Sequence, residues 1–473
     1  MRYLSTRDPR ASPATLSFTE VLLAGLAEDG GLYVPDRLPR LSPAELKGYS
    51  GLPYVELAAR VVSLFSSEAF ATYDLRALTI AAYGGFARAA VVPLVQLDER
   101  LWLLELFHGP TLAFKDLALQ LVGRMFDAVL ARLHEHITIV GATSGDTGSA
   151  ALEACRDRDA IDIFMLFPHN RISEIQRRQM TTIDSSNTHA IAIKGTFDDC
   201  QDLVKALFAE QELRRALNLS AVNSINWARI AAQSVYYFAA GLALGAPARA
   251  ISFSVPTGNF GNVYAGHIAR RMGLPIDRLV IGTNRNDILA RYFATGHMAI
   301  APVETSFSPS MDIQVPSNFE RLLFELKGCS GAVAGHQMRL FREHGSMPED
   351  DQAWRMACSL FSAHKVDDTQ TVDTIRETYA RSGVLIDPHT AVAVSAARAE
   401  MNTGSGSAPM VALACAHPAK FPDVVERATG IRPALPAFLS DMLKRRERTV
   451  VLPNDLGAVT RFIQTRARRT GNS

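Results

Sequence analysis

Twice in this chain a short apolar, β-branched run opens straight into a glycine-rich turn and then into helical periodicity. Ile137-Thr138-Ile139-Val140 leads into Gly141-Ala142-Thr143-Ser144-Gly145-Asp146-Thr147-Gly148. Ala250 to Val255 leads into Pro256-Thr257-Gly258-Asn259-Phe260-Gly261-Asn262, with a helix expected from Val263 to Met272. A strand that hands over to a helix meets its neighbour only after a crossover, so the pairing is parallel and the sheet is covered on both faces. Further buried strands are expected at Leu101 to Leu106, Ile161 to Phe167, Leu279 to Gly282 and Met410 to Ala414. The pattern reads as an α/β fold with parallel sheets. Ligands in such sheets bind at the carboxyl ends of strands, where both glycine turns lie.

Before this alternation the chain is helical in texture, over residues 1 to about 95. Ser17-Phe18-Thr19-Glu20 has the form of a capping box. The helix it opens is expected to end at Gly30-Gly31, with Leu32 to Pro35 leaving in extended form, and helical spacing resumes from Leu57 to Phe65. Three domains are expected: 1–95 helical, 96–215 a small α/β domain, and 216–473 a large one with the C-terminal tail. The most apolar window, Tyr236 to Ala248, is too short to span a membrane and reads as a buried helix. The 473 residues are 48% hydrophobic and 21% charged with a net charge of +1, which suits a globular protein and gives no footing for nucleic acid or a membrane surface. The five cysteines form no pair with metal or disulfide spacing, and the N-terminus lacks an apolar signal region, so the cytoplasm is the expected location. Residues 401–409 read as a surface loop, and the basic C-terminal stretch, with Arg445, Arg446, Arg448 and Arg469, as a solvated tail.

Three segments carry chemistry. At 256–262, Gly258 and Gly261 let the backbone approach an anion, the helix behind offers free N–H groups, and Asn259 and Asn262 add donors. Neither the dinucleotide pattern nor the nucleotide-triphosphate loop is present, so the choice lies between a phosphate cradle and a plain turn. At 143–148, Thr143, Ser144 and Thr147 offer hydroxyls at a helix entrance, suited to a small carboxylate or else to capping. Asp146 would repel an anion and fits better against a phenolic oxygen, an amine or a capping N–H. Lys115, in His108-Gly109-Pro110-Thr111-Leu112-Ala113-Phe114-Lys115-Asp116, sits in an apolar run and is either a desolvated amine able to form a Schiff base or a snorkelling surface lysine. Cys415, at the end of the 410–414 strand, faces a ligand ring or fills the core.

Taken in order, these segments resemble the longer branch of the threonine synthase family. The resemblance also covers Gly30 to Pro35, Asn223 to Arg229, Ser310-Met311-Asp312, Ser317 to Arg321, Asp387-Pro388-His389-Thr390 and Cys415-Ala416-His417-Pro418-Ala419-Lys420-Phe421. It implies the type II fold of pyridoxal-phosphate enzymes, two α/β domains with the cofactor between them and an N-terminal helical domain. Lys115 would be the Schiff-base lysine. Gly258, Asn259, Phe260, Gly261 and Asn262 would hold the cofactor phosphate, with Cys415 at the ring nitrogen, where the family usually has threonine. Thr143, Ser144, Asp146, Thr147, Asn226 and Arg229 would meet the substrate, and Lys420, Arg229 or Arg321 its phosphate. The implied reaction turns O-phospho-L-homoserine and water into L-threonine and phosphate. A phospho-lyase giving 2-oxobutyrate would carry the same segments, whereas the intact Lys115 and both glycine loops argue against the other alternative, a binding protein without turnover.

Overall fold

A computed structural model describes residues 1–221, 225–404 and 406–468. Asn223 and Ser224 of the 223–229 segment, Ser405 and Arg469 lie outside the described residues. The strands run in order as β1 (Tyr3–Ser5), β2 (Tyr33–Pro35), β3 (Leu94–Gln96), β4 (Leu101–Glu105), β5 (Ile137–Ala142), β6 (Ile161–Pro168) and β7 (Thr188–Lys194). They continue as β8 (Leu219–Ser220), β9 (Ile251–Pro256), β10 (Ile276–Thr283), β11 (Phe361–Lys365), β12 (Met410–Ala414) and β13 (Thr449–Pro453). Each strand expected from the sequence is present within a few residues of its bounds.

The chain divides into two units, one of 1–108 with 224–433 and a smaller one of 109–223 with 434–473. The larger holds a six-stranded sheet in the order β11-β10-β9-β12-β4-β3, parallel except for β3. The helix Pro388–Asn402 fills one face, burying Ala391, Val394 and Ala397 against Leu103, Val280 and Ala412. The smaller unit holds a parallel sheet in the order β13-β7-β6-β5-β8. Its core joins Phe164, Leu166, Ile191 and Ile193 to Val459 and Ile463 of the helix Leu456–Gln464.

This is not the three-part division expected. Residues 1–95 are no separate domain, because they clamp onto the helix Trp227–Ala243 of the larger unit. The Tyr3 hydroxyl donates to the Phe65 carbonyl at 2.7 Å, and both rings pack on Trp227. β3 and β4 belong to the larger sheet, since β4 pairs with β12. The C-terminal stretch is no solvated tail: β13 completes the smaller sheet beside β7, and Arg468 donates its N–H and guanidinium to the buried Asp162. The capping box at Ser17 and Glu20 forms as expected, but its helix is Phe18–Ala24, ended by Gly25 at φ 67° rather than by Gly30. Of the apolar window at 236–248, Tyr236 to Leu242 lies in the mostly buried helix Trp227–Ala243, while the window's end leaves the helix, with Gly245 and Ala248 exposed. Among the described residues no helix is long and apolar enough to cross a membrane.

Candidate active site

In the larger unit, the turn after β9 is built to leave donors open. Thr257 closes the strand, its N–H donating to the Gly282 carbonyl. The Asn259 carbonyl is drawn away by the N–H and side-chain amide of Asn318, each at 3.1 Å. Phe260 then takes a left-handed conformation, φ 64°, and the helix Gly261–Arg271 begins. Among the described residues, no backbone N–H from Gly258 to Val263 donates a hydrogen bond. A Cβ at Gly258 would stand 3.0 Å from the Ser310 carbonyl oxygen, so the close approach requires glycine. Six successive unmatched N–H groups at the positive end of a helix fit a phosphate dianion.

The side chain of Asn262 does not serve this cradle as expected. Its amide oxygen accepts from the Tyr236 hydroxyl at 2.5 Å and the Tyr237 hydroxyl at 3.0 Å. Burial pushes both phenols well above their ordinary range, so they remain donors. This fixes the amide orientation and puts Nδ2 3.7 Å from the Cys415 sulfur. Cys415 is thus held at the end of β12 by a polar chain from the helix Trp227–Ala243. Sequence reasoning missed the two tyrosines, which stood in a window legible only as apolar.

The loop after Cys415 is largely buried. His417 Nδ1 accepts from the Ala419 N–H at 3.1 Å, which places the ring proton on Nε2. Burial, with His108 next in effect, pulls the His417 pKa down to about 4, so the ring is neutral at pH 7. Lys420 is fully buried beside it.

The candidate cations separate clearly. Arg321 is structural: its guanidinium donates to the carbonyls of Tyr33 and Ile225 and to the Asn318 side chain. Asn226, expected at the substrate, is engaged at both ends: its oxygen caps the helix at the Ala228 N–H, and its amide donates to the Leu22 carbonyl at 2.8 Å. Arg229 differs from both. It is 3% exposed, its Nε and Nη1 have no hydrogen-bond partner, and among the described residues no carboxylate pairs with it. Burial pulls its pKa down to about 10, which leaves it a cation at neutral pH.

In the smaller unit, Lys115 opens the helix Lys115–Leu133 with its side chain buried. Asp116 holds the preceding turn by accepting from the Thr111 N–H at 2.8 Å and hydroxyl at 2.6 Å. A Cβ at Gly109 would collide with Asp116, which explains the glycine there. The Lys115 amine lies 3.5 Å from Asp146 Oδ2, and Gln176 donates to Asp146 Oδ1 at 2.9 Å. Of the partners open to Asp146 from sequence, the structure shows the amine, and Gln176 is an addition that sequence reasoning missed.

Thr143 does not offer its hydroxyl outward. It accepts from the N–H groups of Gly145 and Gly148 and so staples the loop internally. Ser144 and Thr147 remain open: among the described residues neither hydroxyl nor N–H is bonded to protein.

The family described as threonine synthase N terminus matches residues 2–83, pyridoxal-phosphate dependent enzyme matches 87–341, and threonine synthase C-terminal matches 390–463. A threonine synthase of Pseudomonas aeruginosa is 54% identical over 470 residues, covering 99% of each chain. The crystal structure of PLP-bound threonine synthase from Brucella melitensis, 50% identical, matches with a TM-score of 0.96 over 99% of this chain and 100% of that one. The threonine synthase structure from yeast, 38% identical, matches at 0.93 over 98% of each. The fold is that of type II pyridoxal-phosphate enzymes, and the cradle after β9 fits the phosphate of that cofactor. The chain belongs to the threonine synthase family of pyridoxal-phosphate-dependent enzymes.

Proposed function

We propose that the enzyme converts O-phospho-L-homoserine and water into L-threonine and phosphate. The observation that carries the substrate assignment is Arg229. A buried guanidinium without a carboxylate is costly unless an anion joins it, and a phosphorylated substrate supplies one. Arg229 stands in the first turn of the helix Trp227–Ala243, which leads directly into β9. A helix that returns to a parallel strand brings its N-terminus to the strand's carboxyl end.

Bound pyridoxal phosphate supplies an electron sink that makes protons beside the substrate's amine removable. The N–H groups of Gly258 to Val263 would bind the cofactor phosphate, and Cys415, steadied by Asn262, would face the ring nitrogen. Lys115 Nζ takes the proton from Cα and serves the later proton movements at Cβ and Cγ. The Asp146 carboxylate beside it favours the ammonium form once a proton is gained. Ser144 and Thr147 receive the substrate carboxylate, and Arg229 orients its phosphate. The free cysteines, in no disulfide, suit a reducing cytoplasm.

The test supplies the holoenzyme with O-phospho-L-homoserine and measures phosphate, threonine and 2-oxobutyrate together. Threonine equal to phosphate is expected. Phosphate with 2-oxobutyrate and no threonine would make the enzyme a phospho-lyase, and no phosphate would refute the substrate.

A further inference from the structure

His389 has no part in the chemistry above, yet its setting is that of a working imidazole. It is 4% exposed, Nδ1 lies 2.7 Å from Asp387 Oδ2, and among the described residues Nε2 has no partner. Asp387 is itself fully buried and fixed by the His389 and Thr390 N–H groups and the Thr390 hydroxyl. A carboxylate so anchored takes the Nδ1 side of the ring, fixes its orientation and leaves Nε2 turned to a ligand.

Topology says where that nitrogen lies. The helix Pro388–Asn402 precedes β12 and packs on the parallel sheet, so its first turn stands at the carboxyl edge of the strands. Val392, one turn on from His389 and on the same face, packs on Met311. Met311 in turn touches the phosphate turn: its Cα is 3.1 Å from the position of a Gly258 Cβ. The neighbouring Asp312 carboxyl, raised by burial, feels the charge of His389. Asp312 is held by Asn284, Asn286 and Ser306 and makes no hydrogen bond to the imidazole.

We infer that His389, held by Asp387, is a ligand for a phosphate monoester at the edge of the Gly258 turn, through Nε2. The nearness to Gly258 favours the cofactor's phosphate, while the substrate's phosphate has the same chemistry. Neither source requires a bond to form or break at the ring.

The test compares His389→Leu and His389→Gln with the unaltered protein. Apoprotein is titrated with pyridoxal phosphate by absorbance, holoenzyme with inorganic phosphate by calorimetry, and apoprotein melting is recorded. His389→Leu should weaken cofactor binding on the order of 10- to 100-fold, the loss of one charge-assisted hydrogen bond. His389→Gln, which keeps a hydrogen-bonding group near Nε2, should recover part of it, with melting unchanged. Weakened inorganic phosphate binding with cofactor affinity intact would keep the inference and assign it to the substrate. That arm alone rests on the phosphorylated substrate proposed above, so the two readings fail separately. Unchanged affinity for both would overturn it. Should the variants fail to fold, the unaltered chain labelled with nitrogen-15 histidine still decides: an imidazole signal indifferent to both phosphates would overturn the inference equally.

Discussion

Cys415 stands where the family resemblance implies a threonine. The Asn262 amide is aimed at its sulfur, and two protonated tyrosines fix that amide. Cys415→Thr puts a hydroxyl at the same place, and turnover should hold or rise with the cofactor spectrum retained. A fall in melting temperature with unchanged cofactor affinity would instead mark a packing cysteine. Lys115→Ala should abolish turnover together with the Schiff-base absorbance of the holoenzyme, and turnover surviving in that variant would remove Lys115 from the mechanism. The lysine and the glycine turns were legible in sequence because each announces itself within a few neighbours. Gln176 and the two tyrosines were not, since each acts on a residue 25 to 30 positions away. Thr143 and Asn226 show the reverse: residue types suited to binding had already been committed to the backbone around them.

At the level of elements, helix entrances do most of the positioning. Asn226 both caps Trp227–Ala243 and ties it to the carbonyl of Leu22, so Asn226→Ala loses two hydrogen bonds at a buried site. Denaturant unfolding of the holoenzyme should show a loss of about 1–3 kcal/mol. Gly148 has no room for a side chain, since a Cβ would stand 2.3 Å from Thr143 Cγ2. Gly148→Ala should therefore raise the KM for the amino-acid substrate by displacing the loop that Thr143 staples, while the absorbance of bound cofactor persists. Strands were readable wherever they were uniformly apolar. β13 was not, because it is a half-exposed edge strand whose Thr449-Val450-Val451-Leu452-Pro453 sits among arginines. Only pairing with β7, some 260 residues earlier, makes it a strand.

Across the whole molecule, burial sets a pH limit on stability. It pulls the pKa of His189 and of His417 down to about 4, against an ordinary value near 6.5 once unfolded. The unfolded chain therefore binds these protons first. Stability from these groups is complete above about pH 6.5 and declines as pH falls toward 4, on the order of 2 kcal/mol for each ring after allowance for solvent screening. Unfolding free energies measured between pH 7.5 and 5 should show this slope, and His189→Phe should flatten it. The two-sheet α/β architecture was evident from sequence, but the assignment of the chain's ends was not, because composition marks an element's character and not its partner.

The return of the last segment to the smaller unit has a consequence for how the protein is made. The smaller unit draws on 109–223 and 434–473, and the larger on 1–108 and 224–433, so each is interrupted by the other. On the ribosome, β7 emerges long before β13, and its open edge waits through the synthesis of the larger unit. Every nascent chain thus spends most of its elongation with one sheet unfinished. A chain cut short before Thr449 is no slightly shortened enzyme, because it leaves the β7 edge bare.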